Sequence, residues 1–186
     1  MKYLLIFIMI LISTQSYGKK DKRVEIIRKW FKDTNYKAEN TKVFPVFKMN
    51  DSTKSTEGGT ITAYISKKQF KKIKVEYLFE TGKYNAEFYF HDNILFFVYT
   101  KRTYYNAPIY LTKVDAEGEA QGVEAFDPKK SSFQENRYYF NNKKLIRWID
   151  KKRKQIDPNS KVAKDKEVDI KKELKEYITK IKKELF

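Results

Sequence analysis

The chain has 186 residues, a formal net charge of +16, one His, no Cys, 41% hydrophobic and 16% aromatic residues. That apolar content is enough for one packed domain and excludes wholesale disorder. The absence of Cys excludes disulfides, a thiol nucleophile and Cys-ligated zinc or iron–sulfur clusters, and a single His excludes a His-rich metal site.

The basic excess does not by itself identify a nucleic-acid ligand. Of the 40 basic residues, 34 are Lys and only 6 are Arg. Arg, with its planar fork of donors, is the preferred residue for bidentate phosphate and base recognition. Lysines spread along the whole chain describe either a solvated surface or a face turned toward phosphate, anionic lipid or lipopolysaccharide.

In chain order, the first feature has the layout of a signal peptide. Lys2 supplies the positive charge, Tyr3–Ile12 a ten-residue apolar stretch, and Ser13–Gly18 a polar end with small residues at Ser16 and Gly18. This predicts cleavage between Gly18 and Lys19, a mature chain 19–186 of charge +15, and export to the periplasm or beyond. The apolar stretch is shorter than the roughly 20 residues that span a bilayer, and no later run approaches that length, so no transmembrane segment is expected in the mature chain.

Residues 20–40 read as a helix, with Val24, Ile27, Trp30 and Phe31 at helical spacing and Asp21 as the candidate cap. Residues 41–57 are a strand or loop around Pro45, and Gly58-Gly59 punctuates the start of a sheet over about 58–149. There the period becomes two. Ile61, Ala63 and Ile65 alternate with polar residues, as do Ile73, Val75, Tyr77 and Phe79, and then Tyr84, Ala86, Phe88 and Phe90. Thr81-Gly82-Lys83 and His91-Asp92-Asn93 are turns, and Ile94–Thr100 is the returning strand of an antiparallel meander. A two-residue loop at Asp92-Asn93 places Phe88 and Phe90 on one face with Leu95, Phe97 and Tyr99. It leaves Tyr89, Ile94, Phe96 and Val98 on the other. A strand apolar on both faces is central and needs a second cover: a helix, the 101–135 segment or a partner subunit.

Within 101–135, Tyr104, Tyr105, Pro108 and Tyr110–Val114 suggest a further strand. Asp115–Asp127 holds five acids and no base, a loop by its Gly118 and Gly122. Glu87–Tyr99 also aligns with Arg137–Ile149, pairing Phe90 with Phe140 and Leu95 with Leu145. These are either two hairpins with similar turn chemistry or a duplicated unit. After the Asp157–Ser160 stop, residues 161–185 form a Lys-rich amphipathic helix striped with Ile170, Leu174, Tyr177, Ile178, Ile181 and Leu185. It is expected to dock on the sheet rather than lie on a membrane.

The residues offer little for catalysis. His91 sits alone in a turn, where polar residues belong for hydrogen-bonding reasons. No Ser stands in a nucleophile elbow. Glu76, Glu80 and Glu87 lie on the sheet, where cross-strand pairing can bring carboxylates together, and Glu opposite Lys on a solvent face explains them equally well. The acidic run lacks the spacing of a calcium loop. No cofactor or metal is therefore expected. The aromatics are the unusual feature: residues 64–110 hold 14 of the 30. Such residues pack antiparallel strands, or stack on a ligand when interleaved with Lys. Tyr89, Phe96, Tyr104 and Tyr105 are the candidates for an interface or ligand face.

The segments Thr56-Glu57-Gly58-Gly59, Glu80-Thr81-Gly82-Lys83 and Glu87-Phe88-Tyr89-Phe90, over residues 20–105, resemble a group of small exported bacterial proteins of uncharacterised function. The resemblance implies export and a helix-plus-hairpin fold and carries no catalytic residue.

The expectation is an α+β domain: an antiparallel, aromatic-rich meander packed with an N-terminal and a C-terminal helix. The expected role is a non-catalytic binding or accessory protein of the bacterial cell envelope, partnered by another envelope protein or an anionic envelope surface and not by nucleic acid. Two alternatives stand beside it. One is a binder of anionic lipid or glycolipid through the Lys-rich helices, and the other is a hydrolase using carboxylates such as Glu76 and Glu80.

Overall fold

A computed structural model of the chain describes residues 21–38, 43–49, 55–111 and 124–185. The proposed signal peptide with its Gly18–Lys19 junction, and residues 115–123 of the acidic run, lie outside the described residues.

Helix α1 spans Lys22–Ala38. Its N-terminus is closed by Asp21, whose Oδ1 accepts from the Arg23 backbone N–H at 3.0 Å, satisfying one of the donors a helix start leaves open. Eight strands follow: β1 (Val43–Met49), β2 (Gly59–Ser66), β3 (Gln69–Phe79), β4 (Gly82–His91), β5 (Ile94–Tyr104), β6 (Ser132–Asn141), β7 (Lys144–Asp150) and the two-residue β8 (Gln155–Ile156). They form one antiparallel sheet in which spatial order is chain order. Helix α2 (Lys161–Leu185) closes the chain. Ser160 caps it, its Oγ accepting from the Ala163 N–H at 3.3 Å.

The α+β architecture matches expectation, with differences in detail. The sheet begins earlier, at Val43, and ends at Ile156. Strand β5 runs on to Tyr104, and Tyr105–Leu111 forms turns rather than another strand. The turn after β3 is Glu80-Thr81, with Gly82 already paired to Phe79.

The largest difference is one of parity. In β4–β5, Phe90 pairs with Leu95 but Tyr89 pairs with Phe97, so Phe96 is an extra residue on β5. This bulge reverses the alternation beyond it. Phe97 and Tyr99 therefore share a face with Tyr89 and Glu87, whereas Val98 joins Phe88 and Phe90. The expected placement of Phe97, Tyr99 and Val98 is thus inverted, because the parity set by a two-residue loop holds only as far as the bulge that follows it.

The same device recurs three times. Lys67-Lys68, Asp92-Asn93 and Asn142-Lys143 all have positive φ at both positions, between 49° and 63°, the signature of a tight hairpin turn matched to strand twist. In each hairpin the second pair beyond the turn (Ile65–Phe70, Phe90–Leu95, Phe140–Leu145) is followed by a one-residue bulge at Lys71, Phe96 or Ile146. The alignment of 87–99 with 137–149 thus extends to a third hairpin at half that spacing.

Both faces of the sheet are covered by the chain itself. On the first face, the cross-strand row Ala63–Ile73–Phe88–Val98–Tyr138–Trp148 is buried in one cluster with Ile170, Leu174, Tyr177 and Ile181 of α2. On the second, Tyr89, Phe96, Phe97 and Tyr139 are buried with Val24 and Ile27 of α1. The short β8 leaves part of β7 at the sheet edge, and Glu167 of α2 accepts the Leu145 backbone N–H there at 3.0 Å. Covering an edge in this way blunts it as a template for further strands.

Candidate functional site

Of the four sequence-predicted binding residues, the fold brings Tyr89 and Phe96 together, their rings 6.3 Å apart, and leaves Tyr104 and Tyr105 elsewhere. Tyr89 and Phe96 are core residues, 1% and 2% exposed. Phe96 meets the Trp30 ring edge-on at 5.5 Å, and Tyr89 lies 4.8 Å from Phe31. The Tyr89 hydroxyl donates to Glu87 Oε2 at 2.6 Å, while Lys72 pairs with the other carboxylate oxygen at 2.8 Å. Burial, with the Glu87 carboxylate beside it, raises the Tyr89 hydroxyl pKa well above its ordinary value. Tyr104 and Tyr105 stand near the far end of β5, seven residues beyond Phe97 and hence about 23 Å away. Tyr104 is half-exposed, with Arg102 5.7 Å from its ring. Tyr105 packs edge-on against Phe126 at 5.3 Å.

The carboxylates are equally dispersed. Glu76 stands in β3 opposite Asn85. Glu80 lies four residues on, in the turn, accepting from the Tyr110 hydroxyl. Their backbones are about 13 Å apart along the strand. Glu87 is engaged by Lys72 and Tyr89, as above. Among the described residues no group of three or more His, Asp or Glu is placed to hold a metal. His91 stacks on Trp30 at 4.2 Å between near-parallel rings and lies 3.2 Å from Asp92. It helps hold the β4–β5 tip against α1.

What the fold brings together is a groove that the sequence reading did not single out. It runs between α2 and the tips of the β4–β5 and β6–β7 hairpins, with a volume of about 470 Å³. Its floor is Phe90, Leu95, Phe140, Leu174 and Ile178, and Ile94, about half exposed, stands at its mouth. Its rim holds Lys143 from the hairpin tip and Lys171, Lys175 and Lys182 from α2, with no acidic residue among its lining. Lys171 pairs with Glu167. Lys143, Lys175 and Lys182 have no acidic partner among the described residues.

The origin of this arrangement is local. On α2, positions 171, 175, 178 and 182 recur at three- and four-residue steps, which brings them to one helix flank. Leu174 and Ile178 turn inward from that flank and the lysines extend outward, keeping their heads in water. The turns of all three hairpins fall at the same end of the sheet, where Lys67 lines a separate pocket beside α1 with Asp33 and Asp92. Lys182 and Lys183 also occupy the last helical turn, where positive charge is favoured. The signal was present in the sequence as Lys171, Lys175 and Lys182 beside an apolar stripe. The contribution of Ile94 and Lys143 required the hairpin geometry.

A second groove, about 550 Å³, lies beside α1 and is lined by Phe31, Phe97, Tyr99 and Tyr139 with Arg28 and Arg137. Its Arg137 is already engaged by Glu135. Among the described residues no helix is long and apolar enough to cross a membrane. No family model, curated protein or solved structure matches the chain.

Proposed function

We propose that the protein is an exported, non-catalytic binding protein of the bacterial cell envelope, and that it binds an anionic lipid or glycolipid surface. The observation that carries this reading is the concentration of unpaired lysines around an apolar groove at one end of the sheet. Each basic side chain near an anionic lipid surface contributes about 1 kcal/mol, within a Debye length.

The version in which an open sheet face is offered to another protein loses its support, because α1 covers Tyr89 and Phe96, and Val98 is buried in the cluster that includes α2. For the carboxylate-hydrolase reading, Glu76 stands opposite Asn85, Glu80 accepts from Tyr110, and Glu87 is taken up by Lys72 and Tyr89. The signal-peptide layout and the resemblance to small exported bacterial proteins support the compartment.

The test is co-sedimentation of residues 19–186 with vesicles of a zwitterionic lipid, with and without an anionic lipid, at low and high salt. Binding is expected only with the anionic lipid and only at low salt. Replacing Lys143, Lys175 and Lys182 together by Gln is expected to weaken it roughly 100-fold, three lysines at about 1 kcal/mol each. Equal binding to both vesicle types, or none at low salt, would end this reading.

A further inference from the structure

We infer that the groove between α2 and the hairpin tips takes in a single hydrocarbon chain of an anionic amphiphile, with the phosphate or carboxylate head held by the lysine rim. This rests on the reading above and sharpens it from adsorption at a surface to uptake of one chain.

Three observations carry the inference. First, the floor is continuous hydrocarbon and aromatic ring: Phe90 and Phe140 from two successive hairpins, with Leu95, Leu174 and Ile178 beside them. A binding site for a head group alone has no use for such a floor, since surface electrostatics needs only the lysines. Second, the volume of about 470 Å³ falls within the range of small-molecule sites. Third, the charge is one-sided. The rim contributes four lysines and no acid; Lys171 is paired with Glu167 outside the groove, which leaves Lys143, Lys175 and Lys182, so a ligand with an anionic head is complementary and a cationic or neutral amphiphile is not. Ile94, a large apolar residue of the same lining, is about half exposed and adds to the apolar surface open to a chain.

The probes are octyl, decyl and dodecyl phosphate below their micelle-forming concentrations, with inorganic phosphate as the head-group control, titrated calorimetrically into residues 19–186. Each methylene buried in the groove strengthens binding by up to about fourfold, so decyl phosphate is expected to bind up to about 15-fold tighter than octyl phosphate. Inorganic phosphate is expected to show no saturable binding. Ile178→Glu, with its fold checked by circular dichroism, places a charge on the floor and is expected to abolish the dependence on chain length. Lys175→Gln with Lys182→Gln leaves the floor intact. It is expected to weaken all three alkyl phosphates by a similar factor and to keep their ratios, so the inference can be tested even if the Ile178 variant does not fold.

Equal affinity across the three chain lengths overturns chain uptake. If vesicle binding persists in that case, surface adsorption stands alone. A chain-length dependence without vesicle binding upholds the chain site and overturns surface adsorption. Absence of both overturns the two together.

Discussion

Phe96→Ala separates the two roles open to this residue. Phe96 is 2% exposed, beneath the Trp30 ring at 5.5 Å and 6.3 Å from Tyr89. A buried aromatic side chain removes on the order of 150–200 Å² from water. At about 25 cal/mol per Å² this is about 4 kcal/mol. Alanine keeps part of that burial and the void beneath α1 adds to the loss, so the expected cost is about 3–5 kcal/mol. For a domain of this size the melting temperature should fall by roughly 6–20 °C. Were Phe96 an exposed ligand platform, the substitution would change stability by no more than about 0.5 kcal/mol. Thermal melts followed by circular dichroism decide between them. A shift of only about 1–2 °C would refute the placement of Phe96 in the core. A double-mutant cycle with Trp30→Ala should also show a coupling of about 0.5–1.5 kcal/mol, the value of an edge-on aromatic pair.

Two further substitutions test the sheet and its edge. A Cβ on Gly82 would sit 2.3 Å from the Thr103 carbonyl oxygen, a backbone clash that no rotamer relieves, so Gly82→Ala should cost about 1–3 kcal/mol; a melting temperature equal to the parent's would contradict the β4–β5 pairing described. Burial works against ionisation of Glu167, but the Lys171 ammonium and the Leu145 N–H outweigh it and hold its pKa below the usual carboxylate value. A depressed folded pKa stabilises above the unfolded pKa and is lost as pH falls through the folded one. Glu167→Gln should therefore lower stability by about 1 kcal/mol at neutral pH, and parent and variant should converge in acid. A difference that stays constant from neutral to acid pH would show that the carboxylate charge is not what holds the β7 edge.

The sequence carried the element types because the signals were local. Val24, Ile27, Trp30 and Phe31 recur at helical steps and do form the buried face of α1. The period-two runs through Ile61, Ile73 and Phe88 do form strands, and the stripe from Ile170 to Ile181 does dock on the sheet. What it did not carry depended on one-residue offsets. Nothing in Leu95-Phe96-Phe97-Val98 marks Phe96 as the extra residue, since all four are apolar and either parity buries two of them. The Lys67-Lys68 turn was invisible because Lys is not a residue that positive φ favours, and its strands are held in register by the flanking pairs instead. The candidate groove was hidden for a further reason. Its rim joins residues about 30–40 apart in sequence, Lys143 with Lys175 and Lys182, and its floor joins two hairpins and a helix.

The strand order has a kinetic consequence. Because every strand pairs with its predecessor, no parallel crossover has to close, and only the spans between β1 and β2 and between β5 and β6 separate partners by more than a short loop. Loop-closure cost is therefore met in small instalments, the condition under which an antiparallel sheet assembles quickly despite its β content. The two covers come from opposite ends of the chain, so the sheet can form before either is in place. A sheet formed ahead of its two covers would present a greasy surface on each side, and docking of α1 and α2 is what buries both.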